Sequence, residues 1–208
     1  MKARLQVKKE HYSKDYDTLE RFISYYFQIR KVLELKPKIV LEIGIGTKLV
    51  AWYLKNKGIK VTTCDIDKNL SPDYIADIRE LPFKNNAYDL TLACEVLEHI
   101  PYADFIKALK EMYRVSKKNA VISIPYSTLN VYGYTKLIPR TKPMPYFIKI
   151  TDRFFEEHKF GGQHYWEMGK KGYSPKKIRE CIKSAGWKIA NEFAQPLDPY
   201  HYFFILEK

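Results

Sequence analysis

Cysteine is scarce in this sequence, and the few thiols follow no metal-ligand spacing. The 208 residues include three cysteines, Cys64, Cys94 and Cys181, and no two of them form a CxxC pair. An odd number of widely spaced cysteines argues against a disulfide framework and against a zinc knuckle. We therefore predict no metal site. Two of the cysteines fall in strand-like runs, where a thiol is usually a small buried apolar group.

Long apolar runs are also absent. No stretch approaches the roughly 18 residues that a membrane-spanning helix needs, and the polar N-terminus MKARLQVKKEHYSKDYD lacks the apolar core of a signal peptide. These two features predict a cytoplasmic protein. The composition, 46% hydrophobic and 29% charged, is that of a globular chain, and the length suits a single domain over residues 1–208.

Negative charge is in deficit, since 24 acidic side chains face 36 basic ones and the net charge is +12. A lysine-rich surface that keeps the protein in solution explains this excess. The alternative explanation is an anionic partner, such as nucleic acid, a phosphorylated small molecule or a membrane face. The lysines are spread along the chain rather than massed in one block, which favours the first explanation.

Strand-like and helix-like segments alternate along most of the chain. Five apolar runs, within residues 38–47, 60–67, 74–78, 87–96 and 119–126, predict parallel strands that helices cover on both faces. Two closing runs, WKIANEFAQ and HYFFILEK, predict an antiparallel pair. The expected fold is α/β and doubly wound, with a mostly parallel seven-stranded sheet, an antiparallel last strand and helices on both faces.

Two other segments carry structural predictions. Residues 17–36 predict a helix that begins at Asp15 or Asp17 and buries Phe22, Tyr26, Ile29 and Leu33. Residues 127–172 contain three prolines, a Gly-Gly pair and many aromatic residues. This stretch is long for a connection, which predicts an inserted lid or substrate-recognition segment.

A glycine turn between the first strand and the next helix is the most informative motif. It reads Glu42-Ile43-Gly44-Ile45-Gly46-Thr47, and such a turn lets backbone N–H groups approach a ligand beside a helix N-terminus. The third glycine of the dinucleotide fingerprint is missing. The carboxylate of Glu42 repels a diphosphate but suits a ligand with positive charge. S-adenosyl-L-methionine, with a sulfonium, an ammonium and no phosphate, fits this description.

Carboxylates also end the next two strands. Asp65 follows Gly46 at the spacing at which a strand-end acid accepts hydrogen bonds from ribose hydroxyls. Asp77 ends the third run and can accept from an adenine amino group, with Ile78 against the ring. Alternatively, Asp77 pairs with Arg79 or a lysine. Ligands of open α/β sheets bind at this edge of the sheet.

The sequence resembles the class I S-adenosylmethionine-dependent methyltransferases. It is similar in particular to the small-substrate members related to the ubiquinone/menaquinone methyltransferases. The matching stretches, in order, are VLEIGIGT, VTTCDID, YIADIRELPFKNNAYDLTLACEVLEHI and KKGYSPKKIRECIKSAGWKI. They cover most of residues 38–125, the last helix and the strand after it. The resemblance implies a methyltransferase that uses S-adenosyl-L-methionine, with a reversed last strand in the sheet.

The resemblance also implies roles for individual residues. Glu42, Gly44 and Gly46 would lie against the methionine part of the cofactor. Asp65 would hold the ribose, and Ile66 would border the adenine. Lys48 stands where the family usually has a third glycine.

The remaining implied contacts follow the third and fourth strands. Asp77 and Ile78 would hold the adenine. Cys94 and Glu95 would lie near the methionine moiety and its methyl group, and His99 would lie at the mouth of the site.

The methyl acceptor is not defined by these motifs. A small-molecule acceptor is the expected partner, and His99, Glu95 and His164 are the candidate bases if its nucleophile is protonated. His164 lies in the aromatic segment GGQHYWEM. The alternatives are an RNA methyltransferase and a non-catalytic module that grips an anionic partner. The segment Cys94–Leu97 replaces the Asn-Pro-Pro-Tyr-type motif of base-amino methylation, which disfavours that chemistry.

Overall fold

The structure is a computed structural model that describes residues 5–7, 9–12, 16–136, 138–140, 144–195 and 197–208. Within these residues a central sheet of seven strands has the order β3-β2-β1-β4-β5-β9-β8. Strands β1 to β5 are mutually parallel, and β9 runs antiparallel to both β5 and β8. The predicted fold class and the reversed last strand are therefore confirmed. The strands are β1 Ile39–Ile43, β2 Lys60–Asp65, β3 Tyr74–Ile75, β4 Tyr88–Cys94, β5 Ser116–Pro125, β8 Lys188–Ala194 and β9 His201–Glu207.

Helices cover both faces of the sheet. Helices α1 (Leu19–Leu35) and α2 (Leu49–Asn56) pack on one face, and α3 (Phe105–Val115) and α4 (Pro175–Ser184) pack on the other. The central strands are consequently buried on both sides, which explains their almost continuous apolar sequences. Pro101 precedes a short 3-10 turn rather than the helix itself, and α3 begins at Phe105.

Helix α1 differs from its sequence prediction in two ways. Thr18, not Asp17, caps the helix by accepting a hydrogen bond from the Arg21 N–H, and Asp15 lies outside the described residues. The fully buried face carries Ser24, Tyr25, Gln28 and Val32. Of the predicted stripe, Ile29 and Leu33 are partly buried and pack against the core, and the prediction is wrong for the other two residues. Phe22 and Tyr26 are exposed. The buried face contains polar residues because part of it faces a cleft rather than the apolar core.

Residues 127–172 contain a second, smaller sheet. Strands β6 (Thr128–Thr135) and β7 (Met144–Asp152) form an antiparallel ribbon whose apolar side chains are largely exposed. The chain then returns to the core, where Trp166 is fully buried and donates a hydrogen bond to the carbonyl of Ile100. Pro143 of this segment lies outside the described residues. Among the described residues, no helix combines the length and the apolar character that crossing a membrane requires.

Candidate active site

A cleft of about 640 Å³ opens at the carboxyl ends of the parallel strands. The chain crosses from β1 to β2 on one side and reaches β4 on the other, so this is the point at which the strand order reverses. All eight residues predicted to bind the cofactor line the cleft, together with two of the three candidate bases. These residues are Glu42, Gly44, Gly46, Asp65, Ile66, Asp77, Ile78, Cys94, Glu95 and His99.

The turn after β1 needs glycine at Gly44. Its φ is +76°, and an added Cβ would lie 2.3 Å from the Cγ2 atom of Val96. Lys48, where the related family has a third glycine, adopts a φ of +65°, and its ammonium donates to the carbonyl of Ser71 at 3.2 Å. That bond ties the Lys48 charge to the loop after β2. The glycine turn itself lines the cleft.

Asp65 joins the ends of β1 and β2. Its Oδ2 accepts the N–H of Ile45 at 2.9 Å, and its Oδ1 accepts the N–H of Asp67 at 2.8 Å. Burial raises the pKa of this carboxyl group, and these backbone hydrogen bonds lower it in opposition. Each oxygen has a second lone pair, so the fixed carboxylate can still accept hydrogen bonds from a ligand in the cleft.

Glu42 is a buried acid with an unused oxygen. The side chain is 4% exposed, and its Oε2 has no hydrogen-bond partner among the described residues. Burial raises the pKa of Glu42 to about 8, with the charge of Lys55 as a smaller opposing effect. A buried carboxyl group without a partner is costly to ionise, and a cationic ligand beside it would remove that cost.

Asp77 lines the cleft but already has a strong partner. The Nη2 of Arg79 lies 2.7 Å from its Oδ2, and the Nε of Arg79 lies 3.0 Å from both carboxylate oxygens. Of the two alternatives predicted for Asp77, the structure shows the pairing with Arg79. The pKa of Asp77 is lowered overall because the hydrogen bonds from Arg79 outweigh the effect of burial. Ile66 and Ile78 add apolar surface to the same part of the cleft.

Residues of the N-terminal segment and of helix α1 cover the glycine turn. Tyr12 lies 3.4 Å from the position of a Cβ on Gly46, and the hydroxyl of Tyr25 lies 3.0 Å from the Oγ1 of Thr47. The Arg21 guanidinium lies 4.5 Å from the centre of the Tyr16 ring. In the sequence, the signal for this cover is the high density of tyrosines before and within α1. From the predicted lid, residues 127–172, only Tyr165 lines the cleft among the described residues.

Two of the candidate bases, Glu95 and His99, follow β4 in the chain and line the cleft. Glu95 has a φ of +55° and accepts a hydrogen bond from the Ser123 hydroxyl at 2.8 Å. The Nδ1 of His99 lies 3.0 Å from the carbonyl oxygen of Gln163, which can only accept. Nδ1 therefore carries the proton, and Nε2 keeps a free lone pair. Burial, followed by the neighbouring His164, lowers the pKa of His99 to about 4, so this imidazole is neutral at neutral pH.

His164 and Cys94 have different surroundings from Glu95 and His99. His164 is not part of the cleft lining and lies behind His99, with 5.0 Å between the ring centres. Its Nδ1 is 3.2 Å from Oε1 of Glu167. Burial raises the pKa of the Cys94 thiol well above its ordinary value, so this sulfur remains protonated.

The site fits a cationic, phosphate-free adenosyl ligand on three counts. The unpaired oxygen of Glu42 suits an ammonium group, the turn at Gly44 admits close approach of a ligand to the backbone, and Asp65 ends β2 where a ribose would lie. A diphosphate, by contrast, would meet the acids Glu42 and Asp65.

Comparisons with known proteins agree with this geometry. Residues 41–124, about two fifths of the chain, match the family model described as a methyltransferase domain. An uncharacterized protein of Methanocaldococcus jannaschii is 33% identical over 103 residues, which are 46% of this chain and 44% of that protein. The chain therefore matches less than half of the length of this relative.

Solved structures share the fold over nearly the whole chain. An S-adenosylmethionine-dependent methyltransferase from Clostridium acetobutylicum is 12% identical, with a TM-score of 0.63 over 95% of this chain and 98% of its own. The 1,6-didemethyltoxoflavin-N1-methyltransferase of Burkholderia thailandensis, solved with its substrate and S-adenosylhomocysteine, is 15% identical, with a TM-score of 0.55 over 100% and 93%. The chain thus has the fold of the class I S-adenosylmethionine-dependent methyltransferases.

Proposed function

We propose that this protein transfers the methyl group of S-adenosyl-L-methionine to a small-molecule acceptor. The observation that carries the proposal is the buried carboxyl group of Glu42, which lines the cleft beside the glycine turn and whose Oε2 has no hydrogen-bond partner among the described residues. A positively charged amino-acid moiety would supply that partner. The fold and the methyltransferase-domain match support the same chemistry.

In the proposed complex the eight residues predicted to bind the cofactor contact different parts of it. Glu42 and the backbone at Gly44 and Gly46 bind the amino-acid part, with Cys94 beside it. Asp65 accepts from the ribose hydroxyls. The adenine lies near Ile66, Ile78 and Asp77; because Asp77 is held by Arg79, its contribution to the adenine is shared with that pairing. All of these residues line one continuous cleft.

The cofactor supplies an electrophilic methyl group on a sulfonium. The chain therefore contributes mainly alignment of the acceptor and exclusion of water, and alignment of this kind accounts for about 7–11 kcal/mol of a barrier in favourable cases. Glu95, His99 and Tyr165 also line the cleft, and we place the acceptor beside them. The free lone pair at Nε2 of His99 can accept a proton from an acceptor hydroxyl or bind a cation. His164 acts through His99 rather than on the acceptor.

Calorimetry with S-adenosylhomocysteine tests the cofactor assignment. We expect saturable binding and a raised melting temperature, and Asp65→Ala should abolish both. Asp17→Ala, a change of an exposed acid outside the cleft, is the matched control. Binding of NAD without any binding of S-adenosylhomocysteine would overturn the assignment, because it would mean that Glu42 tolerates a diphosphate.

A small acceptor is proposed over RNA because aromatic side chains border the cleft, with Tyr165 beside the proposed acceptor position and the N-terminal tyrosines over the glycine turn. The segment 127–172 is proposed to recognise the acceptor through Tyr165. Filter binding of tRNA at two salt concentrations distinguishes the alternatives, since phosphate contacts make binding steeply salt-dependent. Such dependence, together with methylation of the RNA, would replace the small acceptor. The cytoplasmic location remains a prediction from the sequence.

A further inference from the structure

Three side chains with metal-ligating atoms cluster around His99, which lines the cleft. One ligand atom from each of Glu98, His99 and His164 lies within 4.8 Å of the other two. The Nε2 of His99 is 3.8 Å from Oε1 of Glu98. Ligand atoms bound at about 2.0–2.2 Å to one ion are roughly 3–4 Å apart, so small side-chain rotations would complete such a set.

Glu98 is a fully buried acid in this cluster. Its side chain is 0% exposed, and neither carboxylate oxygen has a hydrogen-bond partner among the described residues. The positive charge of Arg21 lowers the pKa of Glu98 from a distance, as a smaller effect than burial. The Arg21 guanidinium lies over the ring of Tyr16 and donates no hydrogen bond to Glu98. A buried carboxylate is normally paired, hydrogen-bonded or bound to a metal.

Both imidazoles are oriented as metal ligands usually are. The Nδ1 of His99 is held by the carbonyl of Gln163 at 3.0 Å. The Nδ1 of His164 is held by Glu167 at 3.2 Å, and the Tyr200 hydroxyl is close to both. Within the described part of the chain, neither ring makes a hydrogen bond through its Nε2. A hydrogen bond at the opposite nitrogen, from a carboxylate or a carbonyl, is the arrangement that fixes ligand histidines in metal sites.

We propose that Glu98, His99 and His164 bind a divalent transition-metal ion at the edge of the cleft. Two imidazoles and one carboxylate favour ions of the Mn²⁺ to Zn²⁺ series over Mg²⁺, which prefers oxygen ligands. The sequence predicted no metal site because the ligands are neither cysteines nor regularly spaced. Sixty-five positions separate His99 from His164, and the fold brings them together.

The position of the ion gives it a part in the reaction, a step that rests on the proposed methyl transfer. His99 lines the cleft, so an ion on its Nε2 lies next to the acceptor end. An open coordination position there would bind an acceptor oxygen and lower the pKa of its hydroxyl group, so that its proton would pass to water. The oxygen would then form a bond to the methyl carbon as the bond from that carbon to the sulfonium sulfur breaks, which leaves S-adenosylhomocysteine as a neutral thioether. His99 then holds the ion, and the ion takes over the activation of the acceptor. The class of acceptor that this arrangement fits is a hydroxylated molecule, such as a phenol or an enol.

Cobalt binding tests the site without any need for turnover. The full chain, made without a histidine tag and stripped with a chelator, is titrated with Co²⁺ and followed by its visible d–d absorption. We expect one saturable Co²⁺ per chain, displaced by Zn²⁺ and not by equimolar Mg²⁺. Glu98→Gln, His99→Ala and His164→Ala should each abolish the band, and Glu167→Gln should weaken binding about 10–100-fold.

Matched controls identify unspecific binding. Glu157→Gln changes an exposed acid, and His11→Ala changes a histidine outside the cluster; both should bind Co²⁺ as the unchanged protein does. Without metal, Glu98→Gln should melt at or above the temperature of the unchanged protein, because it removes an unpaired buried acid. That result shows that the loss of cobalt is not a loss of folding.

Two outcomes would overturn the site: no saturable band in the unchanged protein, or a band that survives all three ligand variants. S-adenosylhomocysteine binding, measured by calorimetry on the same samples, is a separate readout. Cobalt binding without S-adenosylhomocysteine binding supports the metal site and contradicts the proposed function. The reverse result contradicts the metal site alone.

Discussion

The carboxylate of Asp65 accepts a hydrogen bond from the backbone N–H of Ile45, with 2.9 Å between Oδ2 and N. Asp65 ends β2, and Ile45 is the residue between the two glycines that follow β1. The acid that is proposed to bind the ribose therefore also holds the turn that is proposed to bind the amino-acid part. One side chain links the two halves of the cofactor cleft.

This link predicts a double effect of Asp65→Asn. The oxygen of the new amide can accept one of the two backbone N–H groups that Asp65 now accepts. The NH₂ group then faces the other N–H, and two donors cannot form a hydrogen bond. We expect the free energy of unfolding to fall by about 1–3 kcal/mol and the affinity for S-adenosylhomocysteine to fall at least tenfold. Urea unfolding and calorimetry measure the two effects, and Asp17→Asn should change neither. Unaltered affinity in Asp65→Asn would show that this carboxylate does not contact the ligand.

Glu42 predicts that cofactor binding releases a proton. Its pKa is raised to about 8 by burial, so the side chain is largely neutral at pH 7 in the free protein. A ligand ammonium beside it would stabilise the carboxylate and lower that pKa. The affinity for S-adenosylhomocysteine should therefore increase as the pH rises from about 6 to 8, by up to tenfold per unit, and level off above 8.

The control for this pH dependence is Glu42→Gln, which removes the titrating group and leaves the ligand's own titration in place. The variant should bind more weakly at pH 8 and show a flatter profile, and Glu20→Gln, an exposed acid in the first turn of α1, should behave as the unchanged protein. In the free protein an acid with a raised pKa costs stability as the pH rises above about 4.5 towards 8. Glu42→Gln should lose that decline. Identical profiles for Glu42→Gln and the unchanged protein would contradict this role.

The sheet and the proposed cofactor cleft were predictable from the sequence because their signals are local. The apolar runs of β1 and β4, the glycine turn, and the acids at the ends of β1 and β2 each lie within a few residues. Parallel strands end at one edge of a sheet, so Glu42 and Asp65 had to lie near each other once the fold class was known. The antiparallel pair of β8 and β9 followed from two strand-like runs joined by a turn.

The remaining features depend on contacts between distant parts of the chain. Helix α1 has aromatic residues on more than one face, and the face with Tyr25 and Gln28 is buried because it adjoins a polar cleft, which a hydrophobic pattern cannot indicate. The β6–β7 ribbon pairs residues across a long loop. The unpaired carboxylate of Glu98 is visible only when its neighbours are known.

The pairing of Asp77 with Arg79 predicts energetic coupling between these two residues. The guanidinium makes three contacts of 2.7–3.0 Å with the carboxylate, and both side chains are mostly shielded from water. A double-mutant cycle with Asp77→Asn and Arg79→Gln should give a coupling free energy of about 1.5–3 kcal/mol. Urea unfolding of the four proteins measures it.

The same variants show what Asp77 contributes to the ligand. If Asp77 acts mainly by holding Arg79, Asp77→Asn and Arg79→Gln should weaken S-adenosylhomocysteine binding to a similar extent, and the double variant should be no weaker than either. A much larger loss in Asp77→Asn alone would mean that this carboxylate contacts the adenine directly. A coupling free energy near zero would contradict the pairing.

Gly44 and Gly58 provide a matched pair for testing how tightly the turn is built. Both have a left-handed backbone, with φ of +76° and +82°, but an added Cβ meets the Cγ2 of Val96 at 2.3 Å at Gly44 and nothing within 4 Å at Gly58. Gly58→Ala should therefore lose only the backbone cost of about 1–2 kcal/mol. Gly44→Ala should lose that amount plus about 1–3 kcal/mol of overpacking. It should also weaken S-adenosylhomocysteine binding, because relief of the contact moves the turn.

A second substitution separates the two contributions. Adding Val96→Ala to Gly44→Ala should recover the overpacking part and leave the backbone part, since the smaller side chain removes the contact but not the strained φ. Equal losses of stability in Gly44→Ala and Gly58→Ala would show instead that Val96 yields freely, in which case the turn is held by the hydrogen bond from Ile45 to Asp65 rather than by packing.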